Sequence, residues 1–217
     1  MMSPEVTRET ALGRALLLQR AAAGIAHEGK NPLHTMALHL HLLSDKIAKA
    51  APGDASLERH AQALRDGISK VDALLRGFAE FATPGHIEAD LGTALQRALL
   101  LFAYEARRGG GQIAEAKGPK SARVQAPGAP LVDVVAHALL AVLALARGGG
   151  LVTPELRADE NVAQLLLEAQ GGLGGQEDAE PHLEAARRLA AEIGADLSIT
   201  SWATGSARLS LSLPRAR

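Results

Sequence analysis

Two long stretches of this chain alternate apolar and polar residues with the period of a packed helix. In the first, about Pro4 to Ala50, the apolar stripe runs Ile25, Gly29, Leu33, Met36, Leu40, Leu43, Ile47, in steps of 4, 4, 3, 4, 3 and 4. That is the spacing of a bundle or coiled-coil seam. Ala51-Pro52-Gly53-Asp54 breaks the pattern, and Ser56 can cap a second helix running to about Ala82. Its stripe is Leu57, Ala61, Leu64, Ile68, Val71, Leu75, Phe78, in steps of 4, 3, 4, 3, 4 and 3. Two long helices on a short connection make an antiparallel hairpin. One hairpin cannot bury both stripes, whereas two together make a four-helix bundle, so the pattern predicts a homodimer.

The pattern changes after Thr83-Pro84-Gly85, which predicts a boundary between a hairpin over 1–84 and a second domain over 85–217. Helices are expected over Leu91–Arg108, Leu131–Ala146 and Pro181–Ile193, each stopped by glycine. Short strands are expected over Gln112–Ala116, Ala122–Gln125, Leu151–Leu156, Val162–Glu168, Asp196–Ser201 and Ala207–Leu213. The fold class is therefore α+β: a two-helix hairpin forming a dimeric four-helix bundle, then a reduced α/β sandwich with helices on one face of a mixed sheet.

Composition narrows the function. Hydrophobic residues are 47% of the 217 but aromatics only 2%, so the core must be Leu, Ala, Val and Ile. A net charge of -1 lacks the basic surplus of a nucleic-acid binder. Arg107-Arg108 and Arg187-Arg188 read as solvated helix faces or ends. The absence of cysteine excludes disulfides, thiolate catalysis and cysteine-ligated zinc. Met1 to Glu9 carries two acids and no apolar run, unlike a secretory signal. The most apolar run, Leu131 to Ala146, is interrupted by Asp133 and His137, so no membrane span is expected and a cytoplasmic location is.

The candidate chemistry sits in the first helix. His27 lies two residues after Ile25, about 200° around the helix, and so points away from the seam. Asn31 lies one turn later on the same face, Glu28 flanks it, and Pro32 removes a backbone donor just beyond. An exposed imidazole, a nearby carboxylate and a helix that can bend suit a nucleophile that must reach a bulky partner. The row His27, His34, His41 is spaced too widely to share a metal, at about 10 Å per seven residues, and reads as one solvated face with His39 nearby. His27-Glu28-x-x-Asn31 is not a zinc motif, since asparagine is a poor zinc ligand.

Ala26-His27-Glu28-Gly29-Lys30-Asn31-Pro32-Leu33 resembles the H-box of bacterial sensor histidine kinases, His-Glu-apolar-Lys/Arg-Asn-Pro-Leu, departing from it at Gly29. Gly77-Phe78-Ala79-Glu80-Phe81-Ala82-Thr83-Pro84 resembles the end of their second dimerisation helix, and the element order beyond is similar to their catalytic domain. The resemblance implies that His27 is the phosphoacceptor. It implies that Glu28 accepts the ring proton or orients the imidazole, and that Asn31 positions water or the incoming aspartyl phosphate. Lys30 can neutralise phosphate charge or stand in solvent, and His34 can serve partner docking. Gly29 leaves a gap on the seam and costs about 1 kcal/mol of helix propensity against Ala.

The parts that bind ATP in this family do not carry over. The Mg²⁺-binding Asn position falls at Ala141, with His137 one turn earlier, and the adenine-binding Asp position at Ala169 or Gln170. Few residues remain for a lid between Gly175 and Pro181, and Glu177, Asp178 and Glu180 would repel a triphosphate. Gly171 to Gly175 reads as a turn rather than a phosphate loop. The expectation is a histidine phosphotransferase without ATP, cofactor or metal of its own. Its partners would be response-regulator receiver domains, which bring their own Mg²⁺, and a second copy of the chain. With no sensor module before Thr10, input is expected from a separate protein. The alternatives are a divergent active kinase that binds ATP, and a non-catalytic pseudokinase adaptor or phosphatase.

Overall fold

The computed structural model describes residues 4–48, 55–82, 89–171, 174–200 and 206–216. The breaks expected at Ala51–Asp54 and Thr83–Gly85, and Gly172 of the glycine turn, lie outside these residues. Helix α1 spans Pro4–Ala48 and α2 spans Ala55–Ala82. Helix α3 (Leu91–Arg108), strand β1 (Gln112–Ile113) and helix α4 (Gly128–Leu145) follow. Then come β2 (Leu151–Ala158), β3 (Val162–Gln170), α5 (Gln176–Glu192), β4 (Asp196–Thr200) and β5 (Ser206–Pro214).

The sheet order is β1-β2-β3-β5-β4, with β1 parallel to β2 and the other pairs antiparallel. The inward row of β5, Ala207, Leu209, Leu211 and Leu213, is buried, as its alternation requires. Helix α4 is apolar all round because it is covered all round: α5, α3, α1 and strands β3 and β5 pack against it. By length and composition it could cross a membrane, but here it is the centre of the core.

Three local expectations are corrected. The helix of Ser56 begins at Ala55, so Ser56 lies in its first turn rather than ahead of it. Residues 122–125 form only isolated bridges, Asp90 with Arg123 and Val124 with Arg215. Helix α5 starts five residues before Pro181, so the proline sits inside the helix, in its second turn, and leaves the Glu177 carbonyl without its helical donor.

The first half of α1 is built into the same core as the sandwich. Leu17 and Ala21 are fully buried in one apolar cluster with Phe81, Phe102 and α4. Phe81 meets Phe102 edge-on at 6.0 Å. Arg14 stacks over the Phe81 ring at 4.5 Å, pairs with Asp133 of α4 and donates to the Phe81 carbonyl. Burying one leucine stabilises by about 1.5–3 kcal/mol, against about 1 kcal/mol or less for a surface ion pair, so apolar contact dominates this anchoring.

Beyond about residue 25, α1 pairs mainly with α2. Gly67 of α2 permits the close approach, since a Cβ there would lie 2.7 Å from the Met36 side chain. The two seams divide unequally. Met36, Leu43, Leu64 and Val71 are half-buried between the helices. Leu33, Leu40, Ile68 and Leu75 remain 54–59% exposed. A further correction concerns His39, which is not on the solvated face: it is half-buried against His60, with Nδ1 atoms 2.6 Å apart.

Candidate functional site

The helix that carries His27 is unbroken through Pro32. The missing proline N–H leaves the Glu28 carbonyl without its helical donor, so the ladder is weakened one turn from the histidine without being interrupted. His27, Lys30, Asn31, His34 and His41 are all exposed. His27, Asn31, His34 and Leu38 fall within an arc of about 60° around the helix at 100° per residue. Leu38, which no motif singles out, is 54% exposed and gives this polar face an apolar centre. The seam leucines Leu33 and Leu40 lie well round the helix from His27, so a surface that binds at the histidine need not compete with one that covers the seam.

The site has a second wall that sequence reasoning missed. Helix α3 crosses α1 beside His27, with the Leu101 carbonyl 3.0 Å from where a Cβ on Gly24 would stand. This brings Tyr104 onto the imidazole, ring centroids 4.3 Å apart and planes inclined by 34°. It also brings Arg107 to Glu28, at 2.7 Å. About two turns earlier on α1, Arg20 faces Glu105 at 3.8 Å. Arg107 is thus not simply a solvated helix end: it holds the carboxylate next to the candidate nucleophile, and the Glu28 side chain is only 14% exposed. Each contact is worth about 1 kcal/mol. That is enough to bias a rotamer about fivefold while leaving the outer side of His27 open.

Signals for this wall existed in the sequence only weakly. Tyr104 is the only tyrosine in the chain, and Arg107 lies three residues on, on the same helix face. Nothing local says that α3 returns to the first helix.

Gly29 is half-buried, and a Cβ there would meet nothing within 4 Å. Gly29→Ala is therefore expected to stabilise the chain by about 1 kcal/mol through helix propensity, read as a rise of roughly 2–4 °C in melting temperature. A fall would show that the backbone uses the glycine's freedom to bend.

Of the positions where a nucleotide site would be built, those at Ala141 and Ala169 are apolar, while the alternative Gln170 is exposed. Ala141 and Ala169 are both fully buried, and a methyl group offers nothing to a metal ion or an adenine amine. His137 is 1% exposed and His182 4%, with Nδ1 atoms 3.0 Å apart. Burial first, then the charges of His182, Arg188, Arg20 and Arg14, hold His137 down at about 3. Burial first, then Arg20, holds His182 at about 4, with Asp178 opposing. Both rings are neutral at ordinary pH. Between α1, α4 and α5 a cavity of about 390 Å³ remains, rimmed by Arg20, Glu177, Asp178 and Arg188. Gly174 donates to the Leu145 carbonyl, and Asp178 pairs with Arg147, so the segment leading into α5 is tied to the end of α4. Among the described residues no group of three or more His, Cys, Asp or Glu side chains is placed to hold a metal ion.

No protein-family model matches the chain, and no curated protein matches it. Solved structures do share its fold. A structure described as a bacterial phosphotransferase is 17% identical, covering 97% of this chain and 98% of its own, with a TM-score of 0.51. The catalytic domain of the histidine kinase ThkA is 13% identical, covering 59% of this chain and 95% of its own, with a TM-score of 0.50. This chain therefore has the fold of histidine kinase catalytic domains and, over nearly its whole length, that of a bacterial phosphotransferase.

Proposed function

We propose that the chain is a cytoplasmic, homodimeric histidine phosphotransferase of a two-component relay, passing a phosphoryl group between receiver aspartates through His27. The observation that carries this reading is the exposed His27 imidazole, backed on one side by Tyr104 and open on the other, on a helix that also exposes Asn31, Lys30 and His34. The neutral imidazole nitrogen attacks the phosphorus of an aspartyl phosphate. An N–P bond forms as the P–O bond to the aspartate breaks, and the carboxylate leaves with the electron pair. The ring's other nitrogen gives up its proton to solvent or to Glu28. The Mg²⁺ for this exchange comes with the receiver. Asn31 steadies the incoming aspartyl phosphate, while Lys30 and His34 contact the docked receiver.

The exposed Leu33, Leu40, Ile68 and Leu75 support dimerisation, since a second hairpin would cover them in a four-helix bundle. The buried methyls at Ala141 and Ala169 and the closed His137–His182 pair argue against the kinase alternative.

The test incubates the protein with a receiver phosphorylated on its aspartate and carrying labelled phosphate. Label is expected on this chain in an acid-labile, alkali-stable form, as a phosphoramidate requires. Mg²⁺ and labelled ATP alone should transfer none. Label from ATP would establish a kinase, no label from either donor would establish an adaptor, and inorganic phosphate released from the receiver would establish a phosphatase.

A further inference from the structure

We propose that Tyr104 and Arg107 of α3 are positioning residues for His27, so that the sandwich forms one wall of the phosphotransfer site. This rests on the transferase reading above and adds to it which residues set the imidazole and its neighbouring carboxylate in place.

Three observations from different parts of α3 converge. Tyr104 lies against the imidazole, with ring centroids 4.3 Å apart. Arg107 grips Glu28 at 2.7 Å. Gly24 lets the two helices meet, since a Cβ there would sit 3.0 Å from the Leu101 carbonyl and 3.7 Å from the Tyr104 Cβ. A larger residue at 24 would push the tyrosine off the histidine. The docking is not held by these contacts alone. Leu17 and Ala21, two and one turns before Gly24, are buried in the sandwich core, which fixes the register of α1 against α3.

The consequence is chemical. An exposed histidine on an isolated helix samples several rotamers, and its ring meets an incoming phosphorus in the right direction only part of the time. A ring stacked on Tyr104 has one flank covered and its open edge turned to solvent, which restricts the approach of a receiver to one side. Glu28 is held by Arg107 and cannot swing across that approach, nor meet the anionic phosphoryl group with an unbalanced charge. Positioning of this kind acts on the step at phosphorus rather than on receiver binding.

The test measures phosphoryl transfer from a phosphorylated receiver to the full chain over a range of receiver concentrations. Tyr104→Leu and Arg107→Ala are expected to lower the saturating rate by up to roughly fivefold each while the half-saturating receiver concentration stays within about twofold. Tyr104→Phe, which keeps the ring, should retain the wild-type rate, and Arg107→Lys should recover part of the loss. The His27 ring proton resonances, shifted by the tyrosine ring current in the wild type, should move in Tyr104→Leu and stay in Tyr104→Phe. Arg107 is more than half exposed, so its variants keep the fold even if Tyr104→Leu does not. If the wild type takes label and the variants keep its saturating rate, the positioning role is overturned and the transferase reading stands. If the wild type takes no label, the transferase reading fails and this proposal falls with it.

Discussion

His27→Ala is expected to remove phosphoryl transfer altogether, by roughly 10³-fold or more, to the background of the assay. A methyl group has no lone pair to offer phosphorus, Asn31 is not a nucleophile, and His34 lies about two turns away. The variant should fold as the wild type does. His27 is exposed on its helix, and Ala is the better helix former by a few tenths of a kcal/mol. What the substitution removes from the fold is the stack on Tyr104. Measured beside an unchanged circular dichroism melt, the loss of label isolates chemistry from structure. Wild-type labelling of His27→Ala would place the phosphoryl group elsewhere and end the proposal.

Acidification from pH 8 to pH 5 is expected to destabilise the fold by about 4 kcal/mol, about half from each of two buried histidines. The sign follows from the direction of the shifts. His137 and His182 have folded-state values of about 3 and about 4, below the 6.5 of an unfolded chain. Above pH 6.5 neither state binds these protons and the pair costs nothing. Below it the unfolded chain takes them up and the folded chain does not, so stability is lost as pH falls. Geometry gives the same answer: with Nδ1 atoms 3.0 Å apart, one ring donates and the other accepts, and a proton on the acceptor would set two N–H groups facing each other. Arg14, Arg20 and Arg188 on the facing helices add to the repulsion, and Asp178 relieves only His182. The melting temperature should drop on the order of 10 °C between pH 8 and 5. His137→Gln combined with His182→Gln should flatten that dependence. Asp90 and Asp159, both held below the usual carboxylate range, lose their contribution only at lower pH and do not confuse the window. A wild-type melt that is level down to pH 5 would show the pair solvated.

Much of this fold could be read from the chain in advance because its signals are local. The span of α3, Leu91–Arg108, is set by Asp90, whose side chain accepts from the Thr93 amide at 2.7 Å, and by the glycines after Arg108. The alternation of Leu209, Leu211 and Leu213 is a period-2 pattern that survives into the sheet without change. The exposure of His27 followed from its angle to Ile25 alone. Readings failed where the deciding group is distant. Arg123 and Val124 look like a strand, yet each finds only an isolated bridge partner. His39 looks solvated on its own helix and is half-buried because His60, 21 residues away, stands opposite.

The elements, the apolar stripes and the identity of the candidate nucleophile are written in the order of residues, because helix period, capping and residue chemistry act within a few residues of their cause. What surrounds that nucleophile is a matter of folding in three dimensions. Tyr104 and Arg107 reach His27 and Glu28 across nearly eighty residues of chain, and His137 meets His182 across 45. Those meetings depend on how α1 is seated in the sandwich core. That seating is set by the packing of Leu17, Ala21, Phe81 and Phe102 together, which no one segment contains.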